Sequence, residues 1–292
     1  MRLLVTLLLS LLLAGPPPAH AVDGDGKKHP PAAGGDEGKK GDDGGKKDED
    51  DAAPPPADDD LPTEDLRAGK DEHKRYLLHG PMKDAKEPKD GYRLAVILPG
   101  GPGTSEFAPF VKNILKNALG KEWLVAQPVS VRWTEDQEIV WPTKKNPVPK
   151  MRFTTEEFVE AVVAEVQKTR EIDGRYVFTL SWSSSGPAAY AIALQDRTRV
   201  TGSYVSMSVF FPDRLPSLKN GRGHPFYIEH SPDDKVCLFK YAEEARDALR
   251  KAGAEVEFST YEGGHGWTGA VYPRLRKGFD WLERKAPKRA PR

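Results

Sequence analysis

The chain has 292 residues, and its 44 lysines and arginines balance 44 aspartates and glutamates, so the formal net charge at pH 7 is zero. A single cysteine, Cys237, excludes an internal disulfide, and the fold must therefore be stabilised by its core. The basic residues form no stripe and no nucleic-acid-binding motif is present, so we expect no DNA or RNA partner.

The N-terminal residues have the three-part pattern of a secretory signal peptide. Arg2 precedes an apolar run over 3–14, and Ala19 and Ala21 supply the small residues of a cleavage site. The apolar run is shorter than the roughly 20 residues that span a bilayer, so we expect no transmembrane segment in the mature chain. We expect cleavage near Ala21 and export to the periplasm, the cell surface or the medium, with an uncleaved anchor as the alternative.

Residues 22–66 consist mainly of Gly, Pro, Asp and Lys, with almost no large apolar side chain. Such a composition buries too little surface to offset the entropy of ordering, and it predicts a disordered spacer. The spacer holds 15 acidic and 6 basic residues, which leaves a net charge of +8 on residues 67–292. A basic body of this kind either binds anionic surfaces or contacts its own acidic spacer.

Strand and helix patterns alternate over 67–292, a length that suits one catalytic domain. Thr154 and Glu157 form a capping box that begins a helix, whereas Gly120 and Gly253 end two others. The alternation predicts a doubly wound α/β domain with a mainly parallel sheet covered on both faces. The predicted strands are 75–78, 93–98, one within 123–133, 176–180, 200–207, 225–229 and 255–261; the predicted helices are 106–119, 154–171, 184–194, 238–251 and 270–284.

One predicted strand runs into a cluster of small residues and then a helix, the junction at which an α/β-hydrolase displays a nucleophilic serine. With Ser183 as the nucleophile, the positions two before and two after it are Ser181 and Ser185, both small. If Ser184 were the nucleophile, Trp182 would occupy the tight turn two residues before it. If Ser185 were the nucleophile, Pro187 would lie two residues after it. We therefore predict Ser183, although serine replaces both glycines of the usual motif and would strain the turn at positive φ. A serine-rich helix start that caps itself is the alternative.

Three further strand ends carry the groups that a serine nucleophile needs. An oxyanion hole requires backbone N–H donors, and Gly101 in a Gly-Pro loop and Ser184 after the nucleophile are the predicted pair. Asp234, preferred over Asp233, is the predicted acid, although an Asp-Asp pair is often a turn or a helix cap. His265 lies between glycines after the last strand, so the chain order is serine, aspartate, histidine, as this fold requires.

These motifs resemble those of α/β-hydrolase serine esterases, most closely the phospholipase/carboxylesterase group that includes acyl-protein thioesterases. The resemblance covers nearly all of residues 75–285. It implies a compact form with little or no lid, and hydrolysis of carboxylic esters or thioesters without a cofactor. It rests on Leu98-Pro-Gly-Gly-Pro-Gly, Ser181-Trp-Ser-Ser-Ser-Gly, His230-Ser-Pro-Asp-Asp and Thr260-Tyr-Glu-Gly-Gly-His.

Trp182, Gln137 and Trp141 are candidates for binding the acyl or leaving group of a small-molecule or lipid-like ester, and core packing is an equal alternative for each tryptophan. Cys237 follows the acid loop and is interpreted as a structural residue rather than a nucleophile. No paired Cys or His spacing indicates a metal, and no G-x-G-x-x-G follows a strand to hold a dinucleotide. The oligomeric state stays open.

The sequence thus predicts an exported serine esterase with the triad Ser183, Asp234 and His265. Two alternatives remain at this point. One is a catalytically degenerate hydrolase fold that serves as a binding module, suggested by the altered serine motif. The other is a peptidase, because amide and ester hydrolysis use the same groups.

Overall fold

A computed structural model describes residues 61–288, and these residues contain one eight-stranded sheet. The strands are β1 (Thr63–Arg67), β2 (Arg75–His79), β3 (Tyr92–Leu98), β4 (Trp123–Pro128), β5 (Ile172–Trp182), β6 (Gly202–Ser206), β7 (Pro225–His230) and β8 (Glu255–Thr260). Their order across the sheet is β1-β2-β4-β3-β5-β6-β7-β8. β1, β2 and β4 pair antiparallel, and every pair from β4 to β8 is parallel.

Helices cover both faces of the sheet, as crossover connections between parallel strands require. They are α1 (Ala108–Ile114), α2 (Thr155–Thr169), α3 (Gly186–Ala193), α4 (Lys240–Ala252) and α5 (Val271–Lys285). One face packs against α1 and α5, and the other packs against α2, α3 and α4. The two-residue period of the strands divides the core accordingly: Ala95 and Ile97 face α1 and α5, whereas Leu94 and Val96 face α2 and α3.

Local signals in the sequence place several helix ends correctly. Thr154 Oγ1 accepts the N–H of Glu157 at 3.2 Å, and the Glu157 carboxylate accepts the N–H of Thr154 at 2.8 Å, so the capping box is formed. Gly253 ends α4 in the left-handed conformation, with φ of 93°. α1 continues into a single π-helical turn, Leu115–Leu119, before Gly120. None of the helices in residues 61–288 is long and apolar enough to cross a bilayer.

The seven predicted strands and five predicted helices are confirmed, with shifts of a few residues at their ends. The sequence missed β1, because its Thr-Glu-Asp-Leu-Arg composition lacks a buried face of apolar side chains. The spacer therefore cannot extend to residue 66, since Thr63 already pairs with His79 of β2. The predicted signal peptide and the spacer up to residue 60 lie outside the described residues.

Candidate active site

The carboxyl ends of four parallel strands bring the predicted site residues to one edge of the sheet. β3 leads into the Gly-Pro loop, β5 into Ser183, β7 into the loop that carries Asp234, and β8 into the loop that carries His265. Ligand and catalytic sites of open α/β sheets form outside these strand ends. Residues more than 80 positions apart in the sequence are therefore in direct contact here, Ser183 with His265 and Ser184 with Gly101.

Ser183 occupies a sharp turn between β5 and α3. Its φ of 54° lies in the left-handed region, which a residue with a side chain adopts only under strain. Ser181 is buried within β5, and Ser185 has a φ of −93°, so the two serines that replace the usual glycines are not strained. The condition under which they would strain the turn is thus not met, because the positive φ belongs to the central serine.

The serines around the turn hold it in place. Ser185 accepts the Trp182 N–H at 3.0 Å, and its hydroxyl donates to the carbonyl of Leu98, the last residue of β3, at 2.6 Å. Ser208, in the loop after β6, donates to the Ser183 carbonyl at 2.6 Å. Loops from both neighbouring strands therefore fix the strained turn.

Ser183, His265 and Asp234 form a continuous hydrogen-bonded chain. Ser183 Oγ lies 3.0 Å from His265 Nε2, and His265 Nδ1 lies 2.8 Å from Asp234 Oδ2. Because an ionised carboxylate only accepts hydrogen bonds, Nδ1 carries the imidazole proton and Nε2 can accept the proton of the serine hydroxyl. The arrangement can activate the serine oxygen as a nucleophile.

The Asp234 side chain is fully buried and yet well supplied with donors. Oδ1 accepts the N–H groups of Val236 and Cys237, both at 2.8 Å. Burial by itself would raise the pKa of this carboxyl. Hydrogen bonds from His230, His265 and the Cys237 N–H outweigh burial, however, and hold the pKa of Asp234 well below its usual range. The acid is therefore ionised at neutral pH.

Gly101 and Ser184, the predicted oxyanion donors, are neighbours in space. Ser184 Oγ donates to the Gly101 carbonyl at 2.8 Å, which links the Gly-Pro loop to the serine turn. Within residues 61–288 the Gly101 N–H has no hydrogen-bond acceptor, and the residue is exposed. That N–H group is consequently available to a bound anion.

The loop also packs closely on Trp182. A Cβ atom at Gly100 would lie only 2.5 Å from Cδ1 of the Trp182 indole and 2.7 Å from the Trp182 carbonyl oxygen, so no larger residue fits there unless both the ring and the backbone move. Phe107, Phe110 and Trp267 surround the same indole in edge-on contacts, with ring centroids 5.6–5.8 Å from it. The Gly-Pro loop therefore packs on Trp182, which is itself held by three other aromatic rings.

The three predicted substrate-binding residues are held by contacts within the protein, and their role in binding stays a prediction. Trp182 and Trp141 are 5% and 3% exposed, and the Trp141 indole N–H donates to the Pro99 carbonyl. The Gln137 amide accepts the Trp133 N–H and donates to two carbonyls of its own loop. The polar groups of Trp141 and Gln137 are therefore occupied, and the burial of both indoles agrees with the packing alternative. The sequence could not reveal this, because their partners are backbone atoms.

Sequence reasoning also missed groups that contact the triad. The Cys237 N–H donates to Asp234, and burial together with the Asp234 charge raises the pKa of the Cys237 thiol to about 12. Such a thiol is a poor nucleophile at neutral pH, in agreement with the structural role predicted for it. His230 contacts Asp234 as well, and its position four residues before the acid was the only available signal.

Comparison with known proteins places this architecture in a structural class. An esterase from Pseudomonas putida aligns with a TM-score of 0.58 and 13% identity over 78% of this chain and 83% of that one. SOBER1 from Arabidopsis thaliana aligns with a TM-score of 0.50 and 19% identity over 67% of this chain and 99% of that one. The chain therefore has the α/β-hydrolase fold.

A curated protein adds a similarity in sequence. Acyl-protein thioesterase 1 from Neurospora crassa is 31% identical over 87 residues, which are 30% of this chain and 34% of that protein. The chain thus matches about a third of the length of this relative. No family model matches the chain.

Proposed function

We propose that the chain is a serine hydrolase that cleaves carboxylic esters or thioesters through an acyl-enzyme intermediate. The observation that carries this proposal is the 3.0 Å approach of Ser183 Oγ to His265 Nε2, with Asp234 on the opposite nitrogen. The similarity to an acyl-protein thioesterase and the shared fold of an esterase support the same chemistry.

In the proposed first half-reaction, Ser183 Oγ attacks the acyl carbonyl and His265 Nε2 takes the hydroxyl proton. The N–H groups of Gly101 and Ser184 bind the oxygen on which negative charge develops. His265 then protonates the leaving alcohol or thiol as the bond to the acyl carbon breaks. Water repeats these steps on the acyl-enzyme, which releases the acid and restores the serine. Asp234 stabilises the imidazolium in both halves and keeps its own charge.

The surface beside the acid suits an apolar group of the substrate. Val236 and Leu238 follow Asp234 in its loop and are large apolar side chains with exposures of 50% and 43%. Exposed apolar side chains beside a reactive centre favour substrates that bury hydrocarbon against them. An ester with an alkyl acyl chain or an alkyl alcohol is therefore the proposed substrate class.

A fluorophosphonate probe and a p-nitrophenyl ester test the proposal together. The probe should label the wild-type protein, and Ser183→Ala should abolish labelling and lower turnover by roughly 10⁴-fold, because the nucleophile and its base act as a unit. Ser217→Ala, which changes an exposed loop serine, is the matched control and should behave as wild type.

A folded wild-type protein that neither labels nor hydrolyses would instead support the binding module. Unchanged turnover in Ser183→Ala would reject the proposed nucleophile. A series of acyl lengths, with short peptides beside it, would define the substrate and would identify a peptidase.

We also propose that the hydrolase is exported, on the basis of the pattern of residues 1–21. N-terminal sequencing of the mature protein should find residue 22 first. A mature chain that begins at Met1 would contradict this proposal.

A further inference from the structure

His230 is a second histidine at the carboxylate of Asp234. It is the last residue of β7, and only 1% of it is exposed. Its Nε2 atom lies 3.1 Å from Asp234 Oδ2 and 2.6 Å from the Cys237 carbonyl oxygen. Oδ2 is also the oxygen that contacts His265 Nδ1, at 2.8 Å. One carboxylate oxygen is therefore shared by two imidazoles.

The two atoms that face Nε2 of His230 determine where its proton lies. A carbonyl oxygen and an ionised carboxylate oxygen can only accept hydrogen bonds, so Nε2 must carry hydrogen. Of the two groups that face this nitrogen, only the Asp234 carboxylate is titratable, because Cys237 contributes its backbone carbonyl. The Phe239 ring meets the imidazole edge-on, with centroids 6.0 Å apart, and restrains the rotation of the imidazole.

With this donor, each oxygen of the Asp234 carboxylate has two N–H partners. Oδ1 binds two backbone N–H groups of its own loop, and Oδ2 binds one imidazole from β7 and one from the loop after β8. The backbone contacts alone leave the carboxylate free to turn about its own axis, because both act on the same oxygen. The contacts from His265 and His230, both to Oδ2, remove that freedom, and His230 is the one of the two that does not take part in proton transfer.

We propose that His230 is a positioning residue, whose Nε2–H locks the Asp234 carboxylate in the orientation that His265 requires and ties the acid loop to β7. This inference rests on the proposed serine hydrolase function. Its role is to orient, since within residues 61–288 its ring contacts Asp234, the Cys237 carbonyl and Phe239 but makes no hydrogen bond to Ser183 or His265.

Two substitutions of similar size distinguish the loss of the Nε2–H donor of His230 from the loss of the shape of its side chain. His230→Leu removes the N–H, and it should lower kcat for a p-nitrophenyl ester by roughly 10- to 100-fold, as a small misplacement of a catalytic group does. KM should stay within about 2-fold, because the substrate does not touch this residue. His230→Gln can place an amide N–H where Nε2 lies, and it should recover kcat to within about 3-fold of wild type.

Equal losses of kcat in the two variants, or wild-type kcat in His230→Leu, would overturn the proposal. If the proposed serine hydrolase function is wrong, the result is different, because the wild-type protein itself is then inactive and unlabelled. Both variants are compared with wild type by fluorophosphonate labelling and thermal unfolding, so that misfolded protein is recognised.

A measurement on the wild-type protein keeps the proposal testable if His230→Leu does not fold. Long-range ¹H–¹⁵N spectra of protein labelled with ¹⁵N-histidine, assigned with the soluble variant His230→Gln, report which ring nitrogen is protonated. Protonated Nε2 of His230 supports the inference, and an unprotonated Nε2 contradicts it.

Discussion

The serine turn after β5 and the histidine loop after β8 meet at the site, but they are held in different ways. The turn contains one strained residue, Ser183, and hydroxyls from its own helix start and from a neighbouring loop bind its backbone. The histidine loop is rich in glycine. It depends on side chains that reach it from β7, from β8 and from α5.

The anchors of the histidine loop are identifiable contacts. Ser231 Oγ accepts the Gly264 N–H at 3.0 Å, and the Tyr261 hydroxyl donates to the Gly264 carbonyl at 3.0 Å. Arg274 of α5 donates to the Thr268 carbonyl at 2.6 Å. The nucleophile is thus positioned by packed small residues, whereas the base is positioned by long side chains. The two regions should respond differently to substitution.

The largest difference is expected at Arg274, because it serves the histidine loop alone. Its guanidinium pairs with buried Glu229 at 3.1 Å as well as with Thr268. Arg274→Met would leave the Glu229 charge buried without its partner, and should lower the free energy of unfolding by about 3–5 kcal/mol. Chemical denaturation of the variant measures this loss.

The matched control is the double variant Arg274→Met, Glu229→Gln, which removes both charges. It should recover most of the stability but not the anchor of the loop, so its kcat should stay below that of wild type. A double variant as unstable as Arg274→Met would show that the ion pair is not the cause.

Substitution of one glycine by alanine in each region should destabilise the protein for a different reason in each case. A Cβ at Gly186, the first residue of α3, would lie 2.0 Å from Ser208 Oγ, so Gly186→Ala should displace the anchor of the serine turn and cost about 1–3 kcal/mol. A Cβ at Gly264 would come no closer than 3.7 Å to other atoms, but its φ is 74°. Gly264→Ala should therefore cost about 1–2 kcal/mol through the backbone alone.

Thermal unfolding and turnover of the two alanine variants provide the measurement. Ser208→Gly removes the anchor of the serine turn in either background, but it relieves a clash only in Gly186→Ala, so its added cost should be smaller there than in Gly264→Ala. The same response of both variants to Ser208→Gly would contradict the steric explanation.

Acid should act outside both regions, on His224, whose pKa burial lowers to about 4, and on the antiparallel edge of the sheet. Buried His79 contacts Thr63 of β1 and Gln127 of β4, and burial lowers its pKa to about 4. An unfolded histidine titrates near 6.5, so the unfolded state gains protons first and stability falls as the pH drops from about 6.5 to 4. His79 alone should change the free energy of unfolding by at most about 1.4 kcal/mol per pH unit.

Denaturation of wild type and His79→Gln at pH 7.5, 6.5 and 5.5 tests this expectation. The variant lacks the titrating group, so the difference between the two proteins should shrink or reverse as the pH falls. A difference that is constant with pH would exclude His79 as the source.

The sequence was sufficient to predict the triad positions because strand ends, turn residues and chain order are local or linear signals. Ser183, Asp234 and His265 each follow a strand, and the structure places them within hydrogen-bonding distance. Their catalytic roles stay a prediction until the variants are measured. Most helix limits followed in the same way from capping residues and glycines.

The contacts that the sequence did not reveal depend on chain segments that are distant from each other. The strand β1 is recognisable only through its pairing with β2, since its own side chains alternate weakly. The role of the Ser185 hydroxyl is evident only from its hydrogen bond to the Leu98 carbonyl, 87 positions away in the sequence. Gln137 is polar and near the site, and only the structure shows that its amide serves its own loop.

The contact between Gly100 and the Trp182 indole bears on how this protein could be redesigned. Mutant libraries often vary the bulky residue beside a nucleophile in order to widen the substrate range. Here that ring is also the floor of the Gly-Pro loop, so each smaller side chain would give the Gly101 N–H room to move. Selectivity should therefore be varied first at Val236 and Leu238, whose side chains are exposed to solvent beside the acid.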